Sequence, residues 1–377
     1  MPTAHWYAHP AARSWTCPPA PHGAAAFHAA LPGYAPTPLR EMPSLARELG
    51  VRRVFVKDES SRLGLPAFKI LGASWAIHRA LKEGSGERSG EQSGDRAGQQ
   101  LGDRAGARLV TATDGNHGRA VARTARLLGL PAHVFVPGAV HPAAVAAIES
   151  EGARVTRTGG SYDDAVRRAA EAAAREPDAV LVQDTALPGH TRIPGWIVEG
   201  YATLFDEIDA QLHALGAEPA GLVAVPVGVG SLAQAAVSHY RAPRDAPPPS
   251  LLSVEPVAAA CVLASLEAGR PASVSTSTTT MAGLNCGTPS SAAWPLLRDG
   301  LDAAVAVTDP ESARAARDLA ALGVSSGPCG AAALAGARAA LTSAPERRAA
   351  LAEQSTHTVV LLNTEGAEAN PHTTNPL

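Results

Sequence analysis

The sequence lacks the features that mark membrane-spanning, secreted and nucleic-acid-binding proteins. No apolar run approaches the roughly 18 residues that a membrane-spanning helix needs. The first residues, MPTAHWYAHPAARSW, contain no apolar core behind a basic start, so we expect no secretory signal and a cytoplasmic location. The formal net charge is −3, whereas contacts with a nucleic-acid backbone need a basic excess. We therefore expect a globular protein that binds neither membrane nor nucleic acid.

Cysteine is scarce as well, with four residues in a chain of 377. No two of them have a CxxC or other spacing typical of a zinc site, so we expect no structural metal. In a reducing cytosol they would be buried or inert thiols. The four are Cys17, Cys261, Cys286 and Cys329.

From about residue 109 onward, the sequence alternates short β-branched runs with helical patterns rich in Ala, Leu and Arg. This alternation predicts an α/β fold of mostly parallel twisted sheets flanked by helices. The length is sufficient for two domains, and two sheets are favoured over one sheet of eight or more strands. Ligands would bind at the carboxyl ends of the strands, in the cleft between the domains. The predicted strands are 109–112, 132–136, 153–157, 179–182, 221–225, 251–254, 303–307 and 358–362.

Residues 84–107 differ from the rest of the chain, because they repeat glycine with charged and polar side chains and have almost no apolar content. Such a segment cannot bury enough surface to offset the entropy lost on ordering. We predict a flexible low-complexity insertion at the surface, with a partner-binding or lid role as the alternative.

Lys69 lies in the segment PAFKILGASWAIHRAL, close to the start of a predicted helix. The helix dipole disfavours positive charge there, which would lower the pKa of the amine and favour a neutral nucleophile. A lysine at a helix start is more often only solvated. The residue by itself therefore leaves both readings open.

A second segment, VPVGVGSLAQAAV, runs from a predicted strand through the turn 228–231 into an Ala-rich helix. Glycines let the backbone wrap around an anion, and the N-terminus of the helix presents N–H groups to it. The turn is neither a Walker A loop nor a complete GxGxxG motif. It predicts a site for a single phosphate, with a plain tight turn as the alternative.

Two aspartates follow predicted strands at one edge of a sheet. Asp114 opens the stretch DGNHG, in which the amides of residues 115–118 could bind a carboxylate and Asn116 could donate to a ligand oxygen. Asp114 itself could cap the next helix or accept a proton. Asp184 follows strand 179–182 and should project at the same edge, although an aspartate in such a loop is also common.

In their order along the chain, these motifs resemble the fold-type II (tryptophan synthase β-like) pyridoxal-phosphate enzymes, and among these the diaminopropionate ammonia-lyase family. The resemblance runs from about residue 35 over most of the chain. The aspartate of TDGNHG distinguishes this family from serine and threonine dehydratases, which have a small hydroxyl residue in the corresponding loop. The matching segments are FKILGAS, ATDGNHGRAVA, VQDT, IPGWIVEGY, PVGVGSLAQA, TTTMAGLNCGTPSSAAWPLL, SSGPCGAA and NTEG.

The resemblance implies how pyridoxal 5′-phosphate would be bound. Lys69 would hold it covalently, Asn116 would bond its 3′-oxygen, and Thr364 would face the pyridine nitrogen. A hydroxyl leaves that nitrogen neutral, which favours β-elimination. The residues that would bind the phosphate are Gly228, Val229, Gly230 and Ser231.

The resemblance also implies how a small amino-acid substrate would be handled. Asp114 and Asp184 would act as bases on opposite faces of Cα, so that D and L substrates could both react. Thr113, Asn116 and His117 would contact the substrate together with Asp114.

The family further implies a homodimer and two domains. Residues 1–83 and 191–377 would form the large cofactor-binding domain, and residues 108–190 the small one. The family has a cysteine pair near the site, and Cys261 and Cys286 match its placement. The sequence does not decide whether these two cysteines form a disulfide or remain free thiols.

The activity implied is α,β-elimination of ammonia from 2,3-diaminopropionate, giving aminoacrylate and then pyruvate with a second ammonia. After NTEG the chain continues Ala-Glu-Ala-Asn, where the family usually has further acidic residues. Because of this departure, a substrate with a different leaving group on Cβ is also possible. The alternatives are another β-eliminating or β-replacing enzyme, such as a serine or threonine dehydratase, and a non-catalytic paralogue that binds the cofactor.

Overall fold

The computed structural model describes residues 5–86, 106–113, 115–138, 140–185, 190–351 and 357–369. The chain divides into two compact units. The first unit comprises Met1–Pro21, Pro36–Phe68 and Ala202–Leu377, and the second comprises His22–Ala35 and Lys69–Tyr201. Residues 22–35, 69–83 and 191–201, which the sequence analysis assigned to the large domain, thus group with the residues of the predicted small domain. Residues 87–105 of the predicted insertion lie outside the described residues.

The strands and helices of the described residues alternate along the chain, as the sequence predicts. The strands are β1 (Trp6–Ala8), β2 (Leu39–Glu41), β3 (Arg53–Asp58), β4 (Arg108–Ala112), β5 (Ala132–Pro137), β6 (Arg154–Thr158), β7 (Ala179–Leu181), β8 (Leu222–Pro226), β9 (Ser250–Pro256), β10 (Ala303–Val307) and β11 (Thr358–Asn363). The α-helices are α1 (Ala24–Ala29), α2 (Pro43–Leu49), α3 (Ile70–Gly86), α4 (Asn116–Leu127), α5 (Pro142–Glu149), α6 (Tyr162–Arg175), α7 (Arg192–Ala214), α8 (Ser231–Tyr240), α9 (Cys261–Ala268), α10 (Trp294–Gly300), α11 (Asp309–Ala321), α12 (Pro328–Leu341) and α13 (Pro345–Ala350).

The first unit contains a seven-stranded sheet in the order β1-β10-β9-β8-β11-β3-β2. Its five inner strands are parallel, and the short edge strands β1 and β2 pair antiparallel. The inner strands β8 and β10 are apolar throughout and fully buried, as is typical of parallel strands covered on both faces. On one face lies α12, in which small residues permit a close approach: a Cβ on Gly336 would lie 2.3 Å from Cγ2 of Val254.

The second unit contains a four-stranded parallel sheet in the order β6-β5-β4-β7. Each strand ends at the same edge of the sheet and is followed by a loop and a helix. Its core is formed where Val110, Ala112 and Phe135 pack against Ala165 and Val166 of α6. The predicted α/β class with mostly parallel sheets is therefore confirmed.

All eight strands predicted from residue 109 onward are present, with ends shifted by at most a few positions. The prediction did not include β3, although its sequence RVFVKD is strongly β-forming. It also did not include the edge strands β1 and β2, whose three residues each carry little periodic signal. In the part of the chain that the structure describes, no helix has the length and apolarity to cross a membrane.

Candidate active site

Lys69 lies directly before the first residue of α3, and its carbonyl oxygen accepts a hydrogen bond of 3.1 Å from the amide of Ala73. The predicted position at a helix start is therefore confirmed. The amine does not simply face solvent: Lys69 Nζ lies 2.8 Å from Oδ2 of Asp184, within the second unit. Two residues singled out separately in the sequence are thus in direct contact.

Asp184 follows β7 and is 7% exposed. Burial raises the pKa of its carboxyl group, but the Lys69 ammonium, together with its neighbours' hydrogen bonds, holds that pKa well below its usual range. Asp184 is therefore a carboxylate, and Lys69 is its counter-ion.

His117, in the first turn of α4, lies beside this ion pair. Its Nε2 is 2.8 Å from the carbonyl oxygen of Val182, which can only accept, so Nε2 carries the hydrogen. Burial holds the pKa of the imidazole below its usual value, so the ring is neutral. Its Nδ1 is 4.0 Å from Asp184 Oδ2 and has no hydrogen-bond partner among the described residues. This buried acceptor faces the carboxylate and the amine.

The loop that precedes α4 is closed by Thr113, which is buried. Its hydroxyl oxygen accepts hydrogen bonds from the amides of Gly115 (2.9 Å) and Gly118 (3.1 Å). Gly118 must be glycine, because a Cβ would lie 2.2 Å from Cγ2 of Thr113. Asn116, the first residue of α4, is half-buried. Asp114 lies outside the described residues, so its predicted role remains a prediction.

Two residues that the sequence analysis did not select bind the other oxygen of Asp184. The Tyr162 hydroxyl lies 3.4 Å from Oδ1, and the Gln183 side-chain nitrogen lies 3.4 Å from the same atom. Gln183 could have been suspected from its place beside Asp184. Tyr162 could not, because it comes from α6 and is brought to the site only by the packing of that helix on β4.

In the first unit, the predicted phosphate turn connects β8 to α8. Gly230 has φ 103°, a left-handed conformation that favours glycine, and a Cβ there would lie 2.5 Å from Cδ1 of Leu297. A Cβ on Gly228 would lie 3.1 Å from Sγ of Cys286. No side chain caps α8, so its first-turn amides are suited to an anion. The turn therefore fits a phosphate group.

Thr364 follows β11 in the same unit and is buried. Its carbonyl oxygen accepts a hydrogen bond of 3.3 Å from the amide of Phe68, the residue before Lys69 in the chain. The neighbouring Asn363 donates to Asp58 Oδ1 (3.1 Å) and to the carbonyl oxygen of Ser325 (2.8 Å). These bonds fix the segment in which the Thr364 hydroxyl is presented.

All four cysteines are free thiols. Cys261 Sγ lies 3.8 Å from the carbonyl oxygen of Gly228, against the phosphate turn, and Cys286 lies beside the same glycine. Burial raises the pKa of the Cys261 thiol, so it is protonated and weakly reactive. Of the two alternatives left open for this pair, the structure has the free thiols.

Comparison with known proteins gives three relevant findings. Residues 30–364 match a family model described as pyridoxal-phosphate dependent enzyme. The diaminopropionate ammonia-lyase of Salmonella typhimurium is 37% identical over 301 residues, which cover 78% of this chain and 74% of that protein. The L-threonine ammonia-lyase of Geobacter sulfurreducens is 30% identical over 207 residues, covering 55% of this chain and 48% of that protein.

A solved structure extends the similarity to three dimensions. It is the crystal structure of diaminopropionate ammonia lyase from Escherichia coli in complex with an aminoacrylate-PLP azomethine reaction intermediate. The superposition has a TM-score of 0.80 at 33% sequence identity and covers 93% of this chain and 89% of that one.

Proposed function

The chain belongs to the pyridoxal-phosphate dependent enzymes and, within them, to the diaminopropionate ammonia-lyases, and we propose that it eliminates ammonia from 2,3-diaminopropionate. The product aminoacrylate hydrolyses to pyruvate and a second ammonia. The single observation that carries this proposal is the contact of Lys69 Nζ with Asp184 Oδ2 at 2.8 Å. It joins an amine at a helix start to a buried carboxylate, the two groups that covalent cofactor binding and proton abstraction require.

Pyridoxal 5′-phosphate, when bound, supplies the electron sink that acidifies the Cα–H bond of an amino acid. We propose that Lys69 is its covalent attachment point and that Asn116 bonds its 3′-oxygen. Thr364 would face the pyridine nitrogen, and its hydroxyl would leave that nitrogen neutral. The proposed phosphate ligands, supported by the glycine turn and the uncapped helix, are Gly228, Val229, Gly230 and Ser231.

The ion pair explains how Asp184 becomes a base when it is needed. While Lys69 is an ammonium ion, its charge keeps Asp184 ionised and weakly basic. Once the Lys69 nitrogen is no longer a cation, that stabilisation is lost, whereas burial, which raises the pKa of Asp184, remains. The carboxylate is then a stronger base toward the Cα proton of the substrate.

We propose that Asp114 is the second base, so that the two aspartates act on opposite faces of Cα and both enantiomers react. This assignment rests on the family resemblance of the TDGNHG segment. Thr113, Asn116 and His117 would contact the substrate. Closure of the loop by the Thr113 hydroxyl and the inward-facing Nδ1 of His117 support a ligand-binding role for this segment.

The proposed activity is tested by measuring pyruvate and ammonia released from D- and L-diaminopropionate, serine and threonine. We expect two ammonia molecules per pyruvate from at least one diaminopropionate isomer. Turnover of serine or threonine with neither diaminopropionate isomer active would instead favour the dehydratase alternative. A protein that binds the cofactor but turns over no amino acid would favour the non-catalytic alternative.

The attachment point is tested separately. The chain has three lysines, Lys57, Lys69 and Lys82, of which Lys57 is fully buried. Reduction of the loaded enzyme with borohydride, followed by peptide mapping, should find the cofactor on Lys69 and on neither of the others.

We also propose that the enzyme acts in the cytoplasm and that it is a homodimer, the latter as the family resemblance implies. Light scattering after gel filtration should give twice the chain mass of 38.4 kDa. A mass equal to one chain would contradict the dimer.

A further inference from the structure

The two oxygens of the Asp184 carboxylate have different neighbours within the second unit. Oδ2 lies 2.8 Å from Lys69 Nζ and 4.0 Å from His117 Nδ1. Oδ1 instead lies 3.4 Å from the Tyr162 hydroxyl and 3.4 Å from the Gln183 side-chain nitrogen. One oxygen therefore faces the amine, and the other faces two uncharged hydrogen-bonding groups.

Gln183 determines the direction of these bonds. It is fully buried, and its Oε1 accepts a hydrogen bond of 3.0 Å from the backbone amide of Ala112 in β4. A backbone amide can only donate, so this atom must be the oxygen, and the side-chain nitrogen must point the other way. That nitrogen donates to the Tyr162 hydroxyl oxygen at 2.9 Å. Tyr162 accepts there, and its own hydrogen is directed to Asp184 Oδ1.

The backbone around Tyr162 is also fixed. Tyr162 is the first residue of α6, directly after the N-cap Ser161. Ser161 and Asp164 form a capping box, in which the Ser161 hydroxyl accepts from the Asp164 amide (3.2 Å) and Asp164 Oδ2 accepts from the Ser161 amide (2.8 Å). The capping box therefore fixes the backbone of Tyr162, and Gln183 fixes the position of its hydroxyl group.

We propose that Tyr162, oriented by Gln183, is a positioning residue that ties Oδ1 of Asp184 and leaves Oδ2 as the oxygen that takes the Cα proton. Two hydrogen bonds to Oδ1 restrain rotation of the carboxylate. Once the Lys69 nitrogen beside Oδ2 is no longer a cation, they also make Oδ1 the less basic oxygen of the two. The inference rests on the proposed function. In the step concerned, the Cα–H bond breaks and its proton goes to Oδ2. The electron pair becomes the Cα–Cβ double bond, and the Cβ–N bond of the β-ammonium group breaks with its pair leaving on ammonia.

The hydrogen bond from Tyr162 favours the ionised form of Asp184, so its loss should shift the protonation of the base to higher pH. In the described part of the chain, the other titratable groups that interact with Asp184 include Lys69, His117 from α4 and Tyr201 from α7. Burial raises the pKa of Tyr201 above its usual value, so it is a neutral phenol, and His117 is neutral as well. With these unchanged, Tyr162→Phe should move the acidic limb of the kcat profile upward by about one pH unit.

The decisive experiment compares Tyr162→Phe with wild type on both enantiomers. We expect kcat to fall about tenfold, with KM little changed, on the isomer that Asp184→Asn impairs most. The other isomer should change much less. Substitution of residue 162 by 3-fluorotyrosine, a better hydrogen-bond donor, should move the acidic limb the opposite way. As a control, Tyr240→Phe removes the phenol oxygen of a buried tyrosine in the first unit. This variant should leave the pH profile of kcat unchanged on both enantiomers.

Equal losses on both isomers, or an unchanged acidic limb in a variant with wild-type melting temperature, would overturn the inference. A second readout does not depend on turnover. In cofactor-free protein labelled with 3-fluorotyrosine, the fluorine resonance lost in Tyr162→Phe should shift on Asp184→Asn, and an unmoved resonance would also overturn it. If the wild type turns over neither isomer, the proposed function fails, and this resonance still decides the role of Tyr162.

Discussion

The amine of Lys69 lies 2.8 Å from Oδ2 of Asp184, although the two residues are 115 positions apart in the chain. Lys69 lies directly before α3 and Asp184 lies after β7, and both residues belong to the second unit. The pair places the amine proposed to bind the cofactor, here an ammonium ion, and the proposed proton acceptor within one hydrogen bond. The predictions below start from this contact and extend to the segments that support it.

Replacing Lys69 by arginine should abolish the reaction while keeping the positive charge beside Asp184. A guanidinium group cannot form the covalent bond to the cofactor, so kcat should fall by about a thousandfold or more. Pyruvate release measures the fall in kcat, and the cofactor absorption band shows whether the covalent bond forms. Lys82→Arg, at an exposed position of α3, is the matched control and should behave as wild type.

Asp184→Asn removes the proton acceptor and the counter-charge of Lys69 with little change in shape. We expect kcat to fall by about 10²–10⁴-fold on one enantiomer of diaminopropionate. Asp114→Asn should impair mainly the other enantiomer. Kinetics on the separate isomers check both variants, and equal losses on D and L substrates would contradict the division of the two faces.

Gly230→Ala tests the phosphate turn. The left-handed backbone and the approach of Leu297 to 2.5 Å from the added Cβ should lower the free energy of unfolding by about 1–3 kcal/mol and weaken cofactor binding. Gly269→Ala is the control, because its φ is also positive (64°) but no atom lies within 4 Å of the added Cβ. It should cost about 1 kcal/mol and leave cofactor affinity unchanged, as measured by denaturation and cofactor titration.

Thr364→Asp tests the hydroxyl proposed to face the pyridine nitrogen. A carboxylate would stabilise the protonated form of that nitrogen and change the electron demand of the cofactor, so most of the elimination activity should be lost. Thr364→Ser keeps the hydroxyl and should retain activity. Equal activity of the two variants in the pyruvate assay would argue against the assignment.

The stability of the protein should fall in acid because of Glu207. Burial raises the pKa of this carboxyl group, but bonds from Arg62 (2.6 and 2.7 Å) and Lys57 (2.5 Å) lower it to about 2. The folded pKa is thus depressed below the unfolded value. The stabilisation is complete above about pH 4.5 and is lost as pH falls toward 2.

Denaturation at pH 7 and at pH 3.5 measures this dependence, which should be weaker in Glu207→Gln. That variant leaves Arg62 and Lys57 buried with less compensation and should cost about 3–5 kcal/mol at pH 7. An unchanged slope of stability against pH in the variant would refute the assignment of this acid dependence to Glu207.

Much of the architecture was accessible from the sequence. Strand and helix periodicity depends on residues close together in the chain, so the strands from residue 109 onward, the helix start at Lys69 and the glycine turn before α8 were predicted correctly. No strand was predicted before residue 109, where β3 lies.

The contacts at the site depended on the path of the chain. Tyr162 reaches Asp184 because α6 packs on β4, and nothing around position 162 in the sequence indicates that contact. In the loop before α4, the hydroxyl of Thr113 accepts hydrogen bonds from the amides of Gly115 and Gly118, a contact that the sequence analysis did not predict. Such bonds depend on side-chain distances that no local pattern encodes.

The sequence by itself determined the fold class and the family, and it singled out the lysine, the aspartates and the glycine turn that we propose as parts of the site. Only the tertiary structure decided that Lys69 and Asp184 are one ion pair and that the two oxygens of Asp184 have separate neighbours. The reason is physical: periodicity and residue type act over a few positions, whereas the ionisation and orientation of a buried carboxylate depend on charges and donors brought together by folding.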